Sequence, residues 1–184
     1  LVIGNECFSN SNSNGRTLKN FFIGWPKENL AQFYIHDCVP DKSVCDNYFQ
    51  VSDKQALNAF LGRKNSDDGA KDTSLPNART TQGRNAFTML VRTVIWNSNR
   101  WKKYGFDKWV DSFSPDLIVV QVGDSPFTLR LSRKTAKKRR IPIVLYNSEN
   151  FYFKKYDYFR ATGFPHLLYP LFRKVYRSEL KAII

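Results

Sequence analysis

Residues 113–150, FSPDLIVVQVGDSPFTLRLSRKTAKKRRIPIVLYNSEN, decide the fold. Leu117, Ile118, Val119 and Val120 make a continuous apolar run rich in β-branched residues and opened by Ser114-Pro115-Asp116. Such a run suits a strand buried on both faces, as in a parallel sheet. Gly123-Asp124-Ser125-Pro126 ends it; Asp124 or Ser125 can cap the following helix, with Pro126 in its first turn. Phe127, Leu131 and Thr135, with Thr128 and Ser132 beside them, form that helix's sheet-facing stripe, opposite Arg130, Arg133, Lys134 and Lys137. Residues 141–146 read as a second buried strand, ending in the polar loop Asn147-Ser148-Glu149-Asn150. The whole is a βαβ unit. Ligands of open parallel sheets bind beyond the carboxyl ends of the strands, which directs attention to loops 123–125 and 147–150; the alternative is that both are ordinary turns.

Upstream, residues 1–4 read as the end of a buried strand, followed by a polar loop at 6–15. Leu18, Phe21, Phe22 and Trp25 then recur at i, i+3, i+4 and i+7, an amphipathic helix ended by Gly24 to Pro26. A strand leading through a Gly-containing loop into a helix N-terminus suits a phosphate, with Gly15 allowing close backbone approach and Arg16 adding charge. A solvated loop with a Ser or Asn cap is the competing reading. Residues 30–35 are a second strand. His36-Asp37-Cys38 behind it reads as a surface turn in preference to a metal site, because His166 is the only other histidine and no H-x-x-x-H pattern exists. Residues 48–51 form a third strand, and Asp53 starts a short helix through Phe60. The charged stretch 62–83 reads as an exposed excursion. Helix resumes over 85–101 with a Phe87, Leu90, Val91, Val94, Ile95 stripe, then over a short segment bearing Phe106, Trp109, Val110 and Phe113.

After residue 150 aromatics and bases interleave. Leu171, Phe172, Val175 and Leu180 lie near one face of a last helix, with Arg173, Lys174, Arg177 and Lys181 on or near the other. This pattern suits stacking on single-stranded nucleic acid, an anionic membrane surface, or a core helix with a solvated basic face. That helix reaches Ile184 without a stop signal, as in a chain that continues.

The 184 residues fit one domain with a substantial core, and 42% hydrophobic content excludes a disordered chain. No apolar run approaches the roughly 20 residues of a membrane span. A net charge of +13 implies anionic partners, of nucleic-acid, membrane or phosphate type. Three cysteines, Cys7, Cys38 and Cys45, without a C-x-x-C pair point to reduced thiols in the cytosol. Together these features give an α/β class: a Rossmann-like parallel sheet with helices on both faces.

Three stretches carry a further resemblance: Asn14-Gly15-Arg16-Thr17 after the first strand, Phe113-Ser114-Pro115-Asp116-Leu117-Ile118, and Arg140-Ile141-Pro142-Ile143-Val144 after a basic helix. In these the chain resembles the N-terminal, acceptor-side half of a GT-B glycosyltransferase of the family-4 type found in bacterial capsule and exopolysaccharide synthesis. The resemblance spans nearly the whole chain, 1–184. It implies a cytoplasmic, retaining enzyme, peripheral at the inner face of the membrane, that uses a nucleotide-diphosphate sugar and no metal or other cofactor. Its donor-binding domain would be a second domain, absent from this chain. The partners implied are the nucleotide sugar and a saccharide or lipid-linked acceptor, with no specific nucleic acid. In such an enzyme Gly15 and Arg16 would face the donor diphosphate across the interdomain cleft, and Gly123, Asp124, Glu149 and Asn150 would meet acceptor hydroxyls, which carboxylates and amides suit; the aromatic and basic tract 151–181 and the charge of +13 place Arg173, Lys174 and Arg177 toward the membrane. Relatives carry His after the last strand where this chain has Asn147-Ser148-Glu149, so no catalytic residue is assigned. The rival readings are a basic nucleic-acid-binding module and another two-domain Rossmann enzyme, such as a nucleotide-sugar epimerase.

Overall fold

The computed structural model describes residues 1–63, 84–147 and 151–184. Five strands, β1 (Val2–Ile3), β2 (Ala31–Tyr34), β3 (Asn47–Gln50), β4 (Ile118–Val122) and β5 (Ile143–Asn147), form one sheet in the order β3-β2-β1-β4-β5. Every pairing is parallel, with Val2 opposite both Gln32 and Val119, and Ile118 opposite Ile143. The fold is therefore Rossmann-like, as the apolar runs predict. The strand order reverses between β1 and β4, the switch point where such sheets open a crevice.

Helices cover the two faces unequally. α1 (Ser13–Phe22) lies on one face, where Leu18 and Phe22 pack with Val2, Phe8, Leu30 and Val44. On the other face lie α2 (Asp53–Phe60), α3 (Ala86–Asn97), α4 (Phe106–Phe113), α5 (Pro126–Arg139) and α7 (Tyr169–Ile183). Their larger core joins Ile3, Phe33, Ile118 and Val120 to Trp96, Trp101, Phe106, Phe127 and Tyr176. The stripe expected on α5 is buried throughout, and its Arg130 and Arg133 reach Glu179 of α7 at 3.7 and 3.3 Å.

Several expectations need correction. β5 is an edge strand and not a doubly buried one: Phe21 of α1 meets Tyr146 edge-on at 4.8 Å, but Val144 remains 49% exposed. α1 ends at Phe22, short of Trp25, and buries Leu18 and Phe22 of the expected stripe, while Phe21 and Trp25 are half exposed. On α3 the buried residues are Ala86, Met89, Thr93 and Trp96, and Phe87, Val91 and Val94 of the expected stripe face outward. The helix is apolar on two sides, so periodicity alone could not choose its core side. Ser125 holds the N-cap position of α5, with Pro126 after it as expected, but its side chain makes no capping hydrogen bond. On α7 the buried positions are Tyr169, Phe172, Tyr176 and Leu180, with Leu171 half exposed. The stretch 64–83, most of the expected excursion, lies outside the described residues, as do Glu149 and Asn150.

The cysteine expectation also changes. Cys7 and Cys38, with Cα atoms 6.4 Å apart, are paired as a disulfide, and only Cys45 is free. The pairing joins the loops after β1 and β2, 31 residues apart, which chain spacing does not reveal. It removes the support that the cysteine count gave to a reducing compartment. Burial pushes the Cys45 thiol upward, away from reactivity.

Candidate functional site

A cleft of about 480 Å³ opens over the carboxyl ends of β1, β2 and β4. Each strand delivers residues to it: Asn5 and Glu6 after β1, His36 after β2, and Gln121, Gly123 and Asp124 at the end of β4. The start of α1 adds residues 11–14. Arg84, just before α3, and Arg92 within it close the far side.

The loop after β1 is held from below. Gln32, a fully buried amide on β2, accepts from Phe8 N–H at 2.7 Å and donates to the Glu6 carbonyl at 3.1 Å. The Asn5 carbonyl accepts from the backbone N–H groups of Ile35 and His36 at 3.1 and 2.8 Å. The Cys7–Cys38 disulfide lies beside both loops. These ties bring Glu6 to His36, with Nδ1 and Oε1 2.6 Å apart. The second Glu6 oxygen accepts from Asn12 Nδ2 at 3.1 Å, and Asn12 Oδ1 in turn caps α1 by accepting from Gly15 N–H at 2.6 Å.

Arg84 pairs with Asp124. Arg92 pairs with Asp53 at 2.8 Å and donates through Nη1 to Ser125 Oγ at 2.7 Å; Asn5 Nδ2 donates to the same hydroxyl at 3.2 Å. Burial opposes ionisation of Asp53, but the Arg92 charge and the hydrogen bonds from Arg92 and Trp96 outweigh it, holding the carboxyl below its ordinary value. Among the described residues, each base lining the cleft is thus engaged by a carboxylate: Arg84 by Asp124, Arg92 by Asp53, His36 by Glu6. Three shielded atoms around the cleft have no partner among the described residues: Asn5 Oδ1, His36 Nε2 and Arg92 Nη2.

The structure brings Gly123 and Asp124 into the cleft, as expected. It does not bring Gly15 and Arg16 there. Gly15 sits inside the first turn of α1 with its amide spent on Asn12, and Arg16 turns outward to the Asn10 carbonyl at 2.9 Å. Of the three bases assigned to a membrane, Arg177 stacks over the Tyr152 ring at 4.4 Å and donates to its hydroxyl, Arg173 is half-buried, and Lys174 is exposed. Sequence reasoning missed Asn5, Glu6, Arg84, Arg92 and Gln121, and read His36 as part of a surface turn. The position of Asn5, Glu6 and His36 just beyond strand ends was the available signal. No group of three or more potential metal ligands occurs among the described residues.

Fold and site together define a Rossmann-like domain with a charge-balanced polar cleft at its switch point. No protein family, curated protein or solved structure matches the chain.

Proposed function

We propose that this chain is the acceptor-side domain of a glycosyltransferase that moves a sugar from a nucleotide-diphosphate donor to a saccharide or lipid-linked acceptor. One observation carries the reading: the cleft is lined by amides, hydroxyls and carboxylates, and its described bases are already paired with carboxylates. A neutral polyol satisfies such a set, because each hydroxyl both donates and accepts. A nucleotide or other polyanion gains less, since the cations it needs are paired. Gly123 and Asp124 line the acceptor side in this reading. The donor diphosphate would be held chiefly by a second domain, with metal-free, retaining chemistry as the resemblance implies.

The test is amide NMR on the isotopically labelled chain, titrated in parallel with methyl glycosides of glucose, galactose and N-acetylglucosamine and with uridine and guanosine diphosphates. Shifts confined to residues 4–6, 11–14, 36, 92 and 121–124 with a glycoside are expected. Perturbation there by the nucleotides alone would favour a different Rossmann enzyme.

The membrane contact remains part of the proposal, with its surface moved. Phe87, Val91 and Val94 of α3 are exposed next to Phe164 and Leu167 of the one-turn α6 (Phe164–Leu167), the Phe87 and Phe164 rings being 6.1 Å apart. Exposed aromatics and leucines, with Lys174 exposed on α7, suit an interface with anionic headgroups, each base there contributing about 1 kcal/mol. Flotation with anionic liposomes should retain the protein, and Phe87→Ser with Leu167→Ser should release it. Tight binding of single-stranded DNA at physiological salt without flotation would move the nucleic-acid module to first place. Among the described residues no helix is long and apolar enough to cross a membrane.

A further inference from the structure

We infer that Cys7 and Cys38 form a reversible redox pair, and that its reduction by a dithiol frees residues 37–40 and loosens the cleft wall made by Glu6 and His36. This holds whatever occupies the cleft and does not depend on glycosyl transfer.

The two cysteines sit on the loops that leave β1 and β2, 31 residues apart in the chain, with Cα atoms 6.4 Å apart. That separation lies within the range a disulfide spans. Cys7 directly follows Glu6, and Cys38 lies two residues after His36; Glu6 and His36 both line the cleft and meet at 2.6 Å. The second loop is pinned at two points. At His36 the backbone N–H donates to the Asn5 carbonyl at 2.8 Å. At Asp41 the N–H donates to the Phe8 carbonyl at 2.8 Å, the carbonyl accepts from the Tyr48 hydroxyl at 2.7 Å, and the carboxylate pairs with Lys19 at 2.7 Å. Between these points Asp37 and Val39 are exposed, and among the described residues no hydrogen bond or ion pair holds Asp37, Val39 or Pro40. Cys38 carries the tie for this span: the bond to Cys7, with the Cys7 N–H donating to its sulfur at 3.2 Å. One reducible contact therefore governs a short stretch between two fixed anchors, next to the cleft.

Cys7 is fully buried, whereas Cys38 is partly exposed between two exposed neighbours, so exchange begins at Cys38. A thiolate of the dithiol attacks the Cys38 sulfur. A new S–S bond forms, the Cys7–Cys38 bond breaks, and its electron pair leaves on the Cys7 sulfur, which takes a proton. The dithiol's second thiolate then attacks its own sulfur in the mixed disulfide and releases Cys38, which is protonated in turn. The dithiol is oxidised by two electrons and the protein reduced by two. Cys45 stays out of the exchange, buried with its thiol donating to the Leu30 carbonyl at 3.2 Å. In the oxidised state the span is clamped and the Glu6–His36 wall keeps one geometry. In the reduced state the span moves, while the anchors at His36 and Asp41 keep the sheet and α1 in place.

Thiol counting and NMR relaxation on the whole chain test this. Alkylation after denaturation should find one thiol in protein equilibrated with glutathione disulfide and three after dithiothreitol, the chain having three cysteines. On reduction the ¹⁵N order parameters of residues 37–39 should fall below about 0.6, those of β4 should stay near about 0.85, and reoxidation should restore the first state. The His36 ring resonances, assigned with His166→Gln, should shift with the same reversibility. Cys38→Ser should show the mobile span without reductant and ignore dithiothreitol. Three thiols after glutathione disulfide would overturn the pair. Order parameters at 37–39 or His36 resonances that are the same in both states, or a spectrum that collapses on reduction, would make the bond a structural staple and overturn the switch.

Discussion

At position 15 the first turn of α1 leaves room for a hydrogen and nothing larger. A Cβ built there would lie 2.5 Å from the Cys7 carbonyl oxygen, a backbone atom that cannot swing aside, and 3.1 Å from the capping Asn12 Oδ1. Glycine is needed so that the helix can approach the loop after β1, a packing requirement that accounts for Gly15 without a ligand. Gly15→Ala gains helix propensity of roughly 1 kcal/mol but loses more to overlap, for a net cost of about 2 kcal/mol and a melting temperature lower by roughly 4 to 8 °C. Thermal unfolding of the purified variant measures this, and an unchanged or raised midpoint would show that the contact is slack. The chemistry of the cleft was hidden at this scale for a related reason. Glu6 and His36 lie 30 residues apart, and no local pattern pairs them. They meet because β1 and β2 are parallel neighbours and both loops leave at the same end of the sheet.

Among the elements, those most readable in the sequence were the ones whose apolar pattern admits one placement. β4, a β-branched run buried on both faces, and α5, with its single Phe127–Leu131–Thr135 stripe, fell where the pattern put them. α3 did not, because it offers Phe87, Val91 and Val94 on one side and Met89 and Trp96 on another. What fixes its rotation is partly polar. Arg92 and Trp96, one turn apart, both reach Asp53 Oδ1 at the start of α2, at 2.8 and 2.7 Å. Asp53→Asn should therefore loosen α3 against α2 and cost about 1–2 kcal/mol near neutral pH. The folded carboxyl lies below its unfolded value, so its contribution is present above about pH 4 and is lost as pH falls through the folded value. Urea unfolding at pH 6 and again near pH 3 should show the gap between wild type and variant closing on acidification. A gap independent of pH would mean that the charge on Asp53 is not what links the two helices.

Over the whole molecule, the parallel sheet and its helices were legible because doubly buried runs admit few other arrangements. The cleft was legible in place, at strand ends near Gly123, but not in composition, since most of its described residues come from loops whose approach only the strand order β3-β2-β1-β4-β5 creates. The net charge of +13 points to anionic partners, yet the cleft itself is neutralised pair by pair. That separation of a basic exterior from a balanced site is what favours a sugar hydroxyl in the cleft and an anionic surface outside it. The most direct test of the glycosyl-transfer claim is an assay of the protein as encoded, incubated with radiolabelled nucleotide sugars and with saccharide and lipid-linked acceptors. The account predicts label transferred to an acceptor, lost by at least tenfold when Asp124→Asn unties Arg84 at the cleft wall. Label that stays on the nucleotide with every acceptor, or transfer unaffected by Asp124→Asn, would contradict it.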